Sequence, residues 1–196
     1  MLESDILIEN VYRIADSHPD RVFASLLFAG QQSIEISYSK LLIRASHYAG
    51  LYCDAGVRQN EVVVIVHNDI EQALYAFVGA LVYEAVPSIF AHPSVKIAPS
   101  EYSKTLRHLL TVCDTRFVMT YPSLFDQLND HVDHENVKLL LSADTSACTR
   151  QTPSRTYSAD QIVLLQHSSG TTGLKKGVAL SNRSVINQLR NYSVTS

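Results

Sequence analysis

The densest run of chemically capable side chains lies between Ile162 and Ser181, in the stretch IVLLQHSSGTTGLKKGVALS. Three of the chain's seven glycines, Gly170, Gly173 and Gly177, fall within eight residues of one another. Glycine lets the backbone take φ > 0 and approach a ligand closely, so that successive N–H groups can point into one concavity. Around these glycines stand the hydroxyls of Ser168, Ser169, Thr171 and Thr172 and the ammonium groups of Lys175 and Lys176. Donors and positive charge converging in this way suit a polyphosphate. The spacing excludes the Walker loop, because the fifth residue after Gly170 is Lys175 and the fifth after Gly173 is Val178, where that loop needs glycine. A match to Ser-Gly-[Ser/Thr]-[Ser/Thr]-Gly-x-x-Lys-Gly arises by chance in about one chain of this size in 10⁵. A solvated hairpin connection is therefore the weaker reading.

The elements around this loop follow from residue patterning. Ile162 to Leu165 and Gly177 to Leu180 read as strands flanking it, and a helix capped by Ser181 or Asn182 follows. Upstream, Ile8, Val11, Tyr12 and Ala15 repeat at helical spacing, predicting a helix from Asp5 to Ser17 capped by Ser4. Val22 to Phe28 and Ser33 to Ser37 form a hairpin around Ala29-Gly30-Gln31. A helix starting at Ser37 or Ser39 runs to Gly56, with Leu41, Leu42, Ala45, Tyr48, Ala49 and Tyr52 on one face. Strand and helix then alternate. Strands are predicted at 61–67, 86–91, 116–120 and 137–142. Helices fall at 70–84 (capped by Asn68 or Asp69), 100–112 and from Pro122 to 128. The EVVVIVH run is apolar throughout, as a strand buried on both faces requires. The fold class is α/β, a mostly parallel sheet of right-handed βαβ units with helices on both faces. Residues 144–160, rich in Ser, Thr and Ala, read as a surface loop.

Composition narrows the class. The chain has 196 residues, 46% of them hydrophobic and 18% charged, with a formal charge of −3. These proportions exclude a disordered, collagen-like or coiled-coil chain. The longest mostly apolar run without charge or proline, Ala73 to Tyr83, is 11 residues, well short of a membrane span. The acidic start is unlike a signal peptide. Cys53, Cys113 and Cys148 are odd in number and widely spaced, which reads as reduced thiols in a cytoplasmic protein. Overall acidity gives no support to nucleic-acid binding. The charge is uneven, however: residues 161–196 carry Lys175, Lys176, Arg183 and Arg190 and no acid.

The loop SSGTTGLKKGV resembles the phosphate-binding signature of the adenylate-forming superfamily, which includes acyl- and aryl-CoA ligases, fatty acyl-AMP ligases, peptide-synthetase adenylation domains and luciferases. Ile36-Ser37-Tyr38-Ser39-Lys40-Leu41 is similar to the family's early (L/I)-(S/T)-Y-x-x-L segment. Val62 to Val66 with Asn68, and Ala80 to Pro87, are similar to its first core strand and the next helix-to-strand motif. The resemblance implies that residues 1–196 are an N-terminal portion of the large AMP-binding domain. About 1–160 would form a βαβ sheet subdomain and 161–196 the strand, loop, strand and helix, with the small C-terminal domain absent. The implied reaction is ATP-dependent activation of a carboxylic acid to an acyl-adenylate with release of pyrophosphate, followed by acyl transfer to the thiol of CoA or a pantetheinyl carrier protein. Ser168, Ser169, Gly170, Thr171, Thr172, Gly173, Lys176 and Gly177 then surround the β- and γ-phosphates of ATP. Lys176 stabilises charge on the leaving pyrophosphate, and Thr171 lies beside the bridging Mg²⁺.

Lys175 replaces a frequent proline of the family and His167 a frequent aromatic residue. The family's adenine, ribose and hinge motifs and its C-terminal catalytic lysine lie downstream in relatives, so the chain alone is expected to be inactive. PSIFAHPSVKIAPSEYSKTLRHLL after Val86 looks more like acid-activating than amino-acid-activating members, which favours a fatty or other organic acid. The alternatives are an amino-acid adenylation fragment and a truncated, non-catalytic nucleotide- or partner-binding module.

Elsewhere plainer readings are favoured. His131-Val132-Asp133-His134-Glu135 lacks a second ligand pair at a metal-site spacing. His67 and His92, just past strand ends, read as hydrogen-bonded structural residues, and Tyr75, Phe77 and Tyr83 as core. Arg183 and Arg190 read as the wet face of the last helix, with long-range attraction for a nucleotide as the alternative.

Overall fold

The computed structural model describes residues 3–93, 97–129, 135–142, 157–167 and 177–194. Elements run in the order α1 (Leu7–Ser17), β1 (Val22–Leu26), β2 (Ile34–Ser37), α2 (Tyr38–Ala55), β3 (Val62–Ile65), α3 (Ile70–Tyr83), β4 (Val86–Ile89), α4 (Pro99–Val112), β5 (Phe117–Thr120), α5 (Pro122–Asn129), β6 (Lys138–Leu141), β7 (Ile162–His167), β8 (Gly177–Ser181) and α6 (Asn182–Val194). The central sheet has four parallel strands in the order β4-β3-β5-β6. β3, β4 and β5 are each followed by a helix, the crossover by which the chain reaches a parallel neighbour.

Side-chain alternation sends the two faces of this sheet into two cores. Val63, Ile65, Phe117 and Met119 pack with α2 and α3 residues such as Ala45, Tyr48, Ala76 and Ala80. Val64, Val66 and Val118 pack with Tyr102, Leu106, Leu109 and Leu110 of α4 and Leu124 and Leu128 of α5. Both faces are covered, which explains the uninterrupted apolar run of β3. Tyr75 and Tyr83 are core residues as expected. Their hydroxyls donate to Glu71 Oε1 at 2.6 Å and to the Val57 carbonyl at 2.7 Å.

Capping explains most element limits. Ser37 Oγ accepts from the Lys40 N–H, and Asp69 Oδ1 accepts from Glu71 and Gln72. Gly56 (φ 80°) closes α2 in the left-handed region that glycine enters freely. Helix α1 departs from the sequence expectation. It begins at Leu7 after an Ile6 cap that supplies no side-chain bond, while Ser4 Oγ accepts from the Ile6 N–H. The Leu7 N–H is instead satisfied from 175 positions away, by Asn182 Oδ1 at 2.9 Å. The strands flanking residues 168–176 do not enter the parallel sheet. They form their own antiparallel pair, β7–β8, and β7 lies against β4. Among the described residues no helix is long and apolar enough to cross a membrane.

Candidate nucleotide site

The β7–β8 ladder pairs Leu165 with Ala179, Gln166 with Val178 and His167 with Gly177. His167 and Gly177 are therefore opposed, and the nine residues from Ser168 to Lys176 join them. The predicted contacts Ser168, Ser169, Gly170, Thr171, Thr172, Gly173 and Lys176 lie outside the described residues, as do Lys175, His131, His134 and Cys148. Gly177 is described, and its backbone does not enter the positive-φ region. A Cβ there would lie 3.2 Å from Leu165 Cδ1, a side-chain end, and at an ordinary 3.6 Å from His167 Cε1.

Two histidines prove informative. Ser88 Oγ is 2.8 Å from His167 Nε2, and Cys113 Sγ is 3.6 Å from the same nitrogen. Ser88 is fully buried on β4, and Cys113 caps the end of α4. Burial raises the Cys113 thiol above its ordinary value. The sequence reading marked His167 only as a replacement for an aromatic residue. A serine inside the apolar strand VPSI was the signal for its partner.

His67 stands where chain direction diverges. The connection after β3 leads through α3 to β4, and that after β5 leads through α5 to β6, on the opposite face. Such a point in a parallel sheet opens a crevice at the strands' carboxyl ends. His67 and Tyr121 stand at this point, just after β3 and β5. The rings of His67 and Tyr121 lie 5.3 Å apart. The Asp69 N–H donates to His67 Nδ1 at 3.0 Å, which leaves the Nε2 proton for Ser142 Oγ at 3.3 Å. Burial lowers the His67 pKa, against the opposing pull of Asp69. The unfolded chain thus takes up this proton first. Stability from His67 is full above about pH 6.5 and falls as pH drops toward its folded pKa. Thermal unfolding at about pH 7.5 and about pH 5.5 should show a smaller acid-induced drop in His67→Gln than in the unaltered protein. Equal drops would rule out His67 as a source. His92, exposed, meets the Pro93 carbonyl at 3.1 Å.

The segment after the hairpin is tied to the front of the chain. Ser181 Oγ accepts from Ser184 N–H and so caps α6, while Asn182, 1% exposed, bonds outward. Its amide joins the Leu7 N–H to the Ser158 carbonyl. Asn182→Ala leaves both groups unpaired and should cost about 1–2 kcal/mol, read as a lowered thermal midpoint. An unchanged midpoint would mean that water replaces the amide. Arg183 pairs with Asp160 at 3.0 Å and Arg190 with Asp5 at 2.8 Å. Both charges are answered locally. Among the described residues no group of three or more His, Cys, Asp or Glu could hold a metal ion.

Comparison with known proteins matches this arrangement. The chain is 23% identical over 189 residues to 4-coumarate–CoA ligase 1 of Petroselinum crispum, covering 91% of this chain and 32% of the relative. It is 25% identical over 175 residues to fatty acyl-CoA synthetase A of Dictyostelium discoideum, covering 79% and 26%. In structure it superposes over its whole length on 31% of the McyG A-PCP chain complexed with phenylalanyl-adenylate, with a TM-score of 0.83 and 16% identity. The chain thus spans about a third or less of the length of these relatives. The AMP-binding enzyme family profile aligns from Val11 to Ser196, taking in both faces of the sheet, the hairpin and the glycine-rich connection, and the chain belongs to that family.

Proposed function

We propose that the full-length protein activates a carboxylic acid with ATP, forming an acyl-adenylate and pyrophosphate, and passes the acyl group to the thiol of CoA or a carrier protein. One observation carries the reading: the Ser-, Thr-, Gly- and Lys-rich run 168–176 joins two strands that are paired right up to it, at His167 and Gly177, in a chain of the AMP-binding family. The donor set fits the nucleotide. Ser168, Ser169, Thr171 and Thr172 with the backbone of Gly170, Gly173 and Gly177 offer donors to phosphate oxygens, and Lys176 offers charge where pyrophosphate departs. Groups aimed at developing charge stabilise the transition state more than the ground state. The hydroxyl of Thr171 is an oxygen ligand of the kind Mg²⁺ prefers, and that ion when bound shields the phosphate charge.

The reading places residues 1–196 in the N-terminal part of the large AMP-binding domain, about 1–160 as sheet subdomain and 161–196 as phosphate-loop segment. It expects no turnover from these residues alone. A fatty or aryl acid is the preferred substrate, as the coumarate and fatty acyl relatives suggest. Cys53 and Cys113, both free thiols, agree with a reducing, cytoplasmic setting.

The test is acid-dependent ATP–pyrophosphate exchange by the full-length protein, screened against fatty, aryl and amino acids. Stimulation by fatty or aryl acids is the expected result. Stimulation by amino acids alone would move the substrate class toward peptide synthesis. ATP binding that no acid converts into exchange would leave a nucleotide-binding module in place of a ligase.

A further inference from the structure

We propose that His167 is a positioning residue: its imidazole, reaching across the edge of β4 to Ser88, fixes where the two stems of the phosphate loop sit against the parallel sheet. This rests on reading 168–177 as the loop that holds ATP. The need for such a device comes from the topology. The hairpin β7–β8 is a sheet of its own, so no backbone ladder joins β7 to β4 although the two lie side by side. A ladder fixes register residue by residue. Apolar contact is non-directional and does not. At the far end of the hairpin Val163 packs into the core with α3 and Gln161 Nε2 donates to Asn60 Oδ1 at 3.1 Å, which holds the start of β7 and leaves the loop end to be fixed separately.

The imidazole supplies a directional contact at the loop end of the stems. His167 is the last residue of β7, opposite Gly177, the first of β8. Its Nε2 lies 2.8 Å from Ser88 Oγ and 3.6 Å from Cys113 Sγ. One ring nitrogen therefore touches β4 and the end of α4 together. The other edge of the ring faces the opposite stem: a Cβ on Gly177 would stand 3.6 Å from Cε1 and 3.7 Å from Nδ1 of His167. The ring thus lies beside the open side of Gly177 and bonds to the sheet. Ser88 is fully buried, so its hydroxyl has no water to turn to if the ring is lost, and an unmade buried hydrogen bond is costly. The Cys113 thiol, kept protonated by burial, can share the same nitrogen as a weak donor. A small shift of residue 167 is passed directly to Ser168, its covalent neighbour and a proposed phosphate contact, and small displacements of positioned groups are expensive in catalysis.

The experiment uses the full-length protein and the variants Ser88→Ala, His167→Phe and their double. Phenylalanine keeps the ring's bulk and removes its nitrogens. In exchange assays each single variant should raise the KM for ATP by about three- to tenfold, the weight of one hydrogen bond, and leave the KM for the acid within about twofold. The double should be no worse than the worse single, because the two substitutions break one contact. A residue that merely supports the fold would move both KM values together. Hydrogen exchange measured without ATP supplies the second readout: amides between 162 and 181 should exchange faster in Ser88→Ala, while those of α2 and α3 keep their rates. Unchanged exchange in that segment would overturn the clamp whatever the assays give. Faster exchange with an unaltered KM for ATP would overturn its role in nucleotide positioning. If the unaltered protein shows no acid-dependent exchange, the ligase reading fails, and hydrogen exchange still decides whether the clamp exists.

Discussion

Replacing Lys176 with alanine in the full-length protein is expected to lower the kcat of acid-dependent ATP–pyrophosphate exchange by about 10²- to 10³-fold, the usual cost of deleting one preorganised stabiliser of transition-state charge. The direction follows from when the charge appears. In the ground state the triphosphate's negative charge is spread along the chain. As the acid's carboxylate attacks the α-phosphate, the bond to the β-phosphate breaks and charge collects on the departing pyrophosphate. An ammonium group aimed there interacts more strongly late than early, so kcat falls more than KM rises. Lys175→Ala provides the contrast. Its ammonium sits one residue away, where many members of the family carry an uncharged proline, so its loss should change kcat by less than about threefold, a screened charge effect. Equal losses in the two variants would mean that the loop works by net charge alone. An unchanged Lys176→Ala would remove the lysine from the mechanism.

Much of the scaffold was legible because the local signals agreed with one another. The continuous apolar run EVVVIVH announced a strand covered on both faces, and β3 is that strand. Ser37, Asp69, Gly56 and Pro122 marked helix limits through chemistry that needs no tertiary partner. Signals failed where the partner was distant. Ser4 looked like the cap of α1, but the first amide of that helix is satisfied by Asn182, from the other end of the chain. Gly177 looked like a place for a positive φ or for close approach to a ligand, and its φ is not positive. Arg183 and Arg190 lie on the exposed face of α6 as read, but their pairing with Asp160 and Asp5 left no signal in the sequence. Charge counted along a sequence cannot register a carboxylate that the fold brings back from residue 5. The same limit hid the Ser88–His167 contact. Its members are 79 positions apart, and neither belongs to a motif that names the other.

Gly79→Ala should be among the most destabilising single-methyl changes in the chain. Helices α2 and α3 cross at a face built from Ala45, Ala49, Ala76 and Gly79, and the backbones come close because nothing larger intervenes. A Cβ on Gly79 would stand 2.5 Å from Tyr48 Cβ and 2.7 Å from the Ala45 carbonyl oxygen. Neither is the tip of a flexible side chain, so relief requires the helices to separate. Tyr48 and Tyr52, both fully packed there, would lose their seating, together with the Tyr52 hydroxyl bond to the Ala76 carbonyl at 2.9 Å. Overpacking typically costs about 1–3 kcal/mol, and a site hemmed by backbone belongs at the upper end. Alanine's better helix propensity returns about 1 kcal/mol, which leaves a net loss of about 2 kcal/mol, or about 4–8 °C in thermal midpoint for a chain of this size. Gly177→Ala is the control: its tightest neighbour is Leu165 Cδ1 at 3.2 Å, a side-chain end that can rotate away. Its cost should stay under about 1 kcal/mol. Thermal unfolding of both variants separates the cases. A Gly79→Ala midpoint no lower than that of Gly177→Ala would mean that the α2–α3 contact yields, and that its close approach is tolerated rather than required.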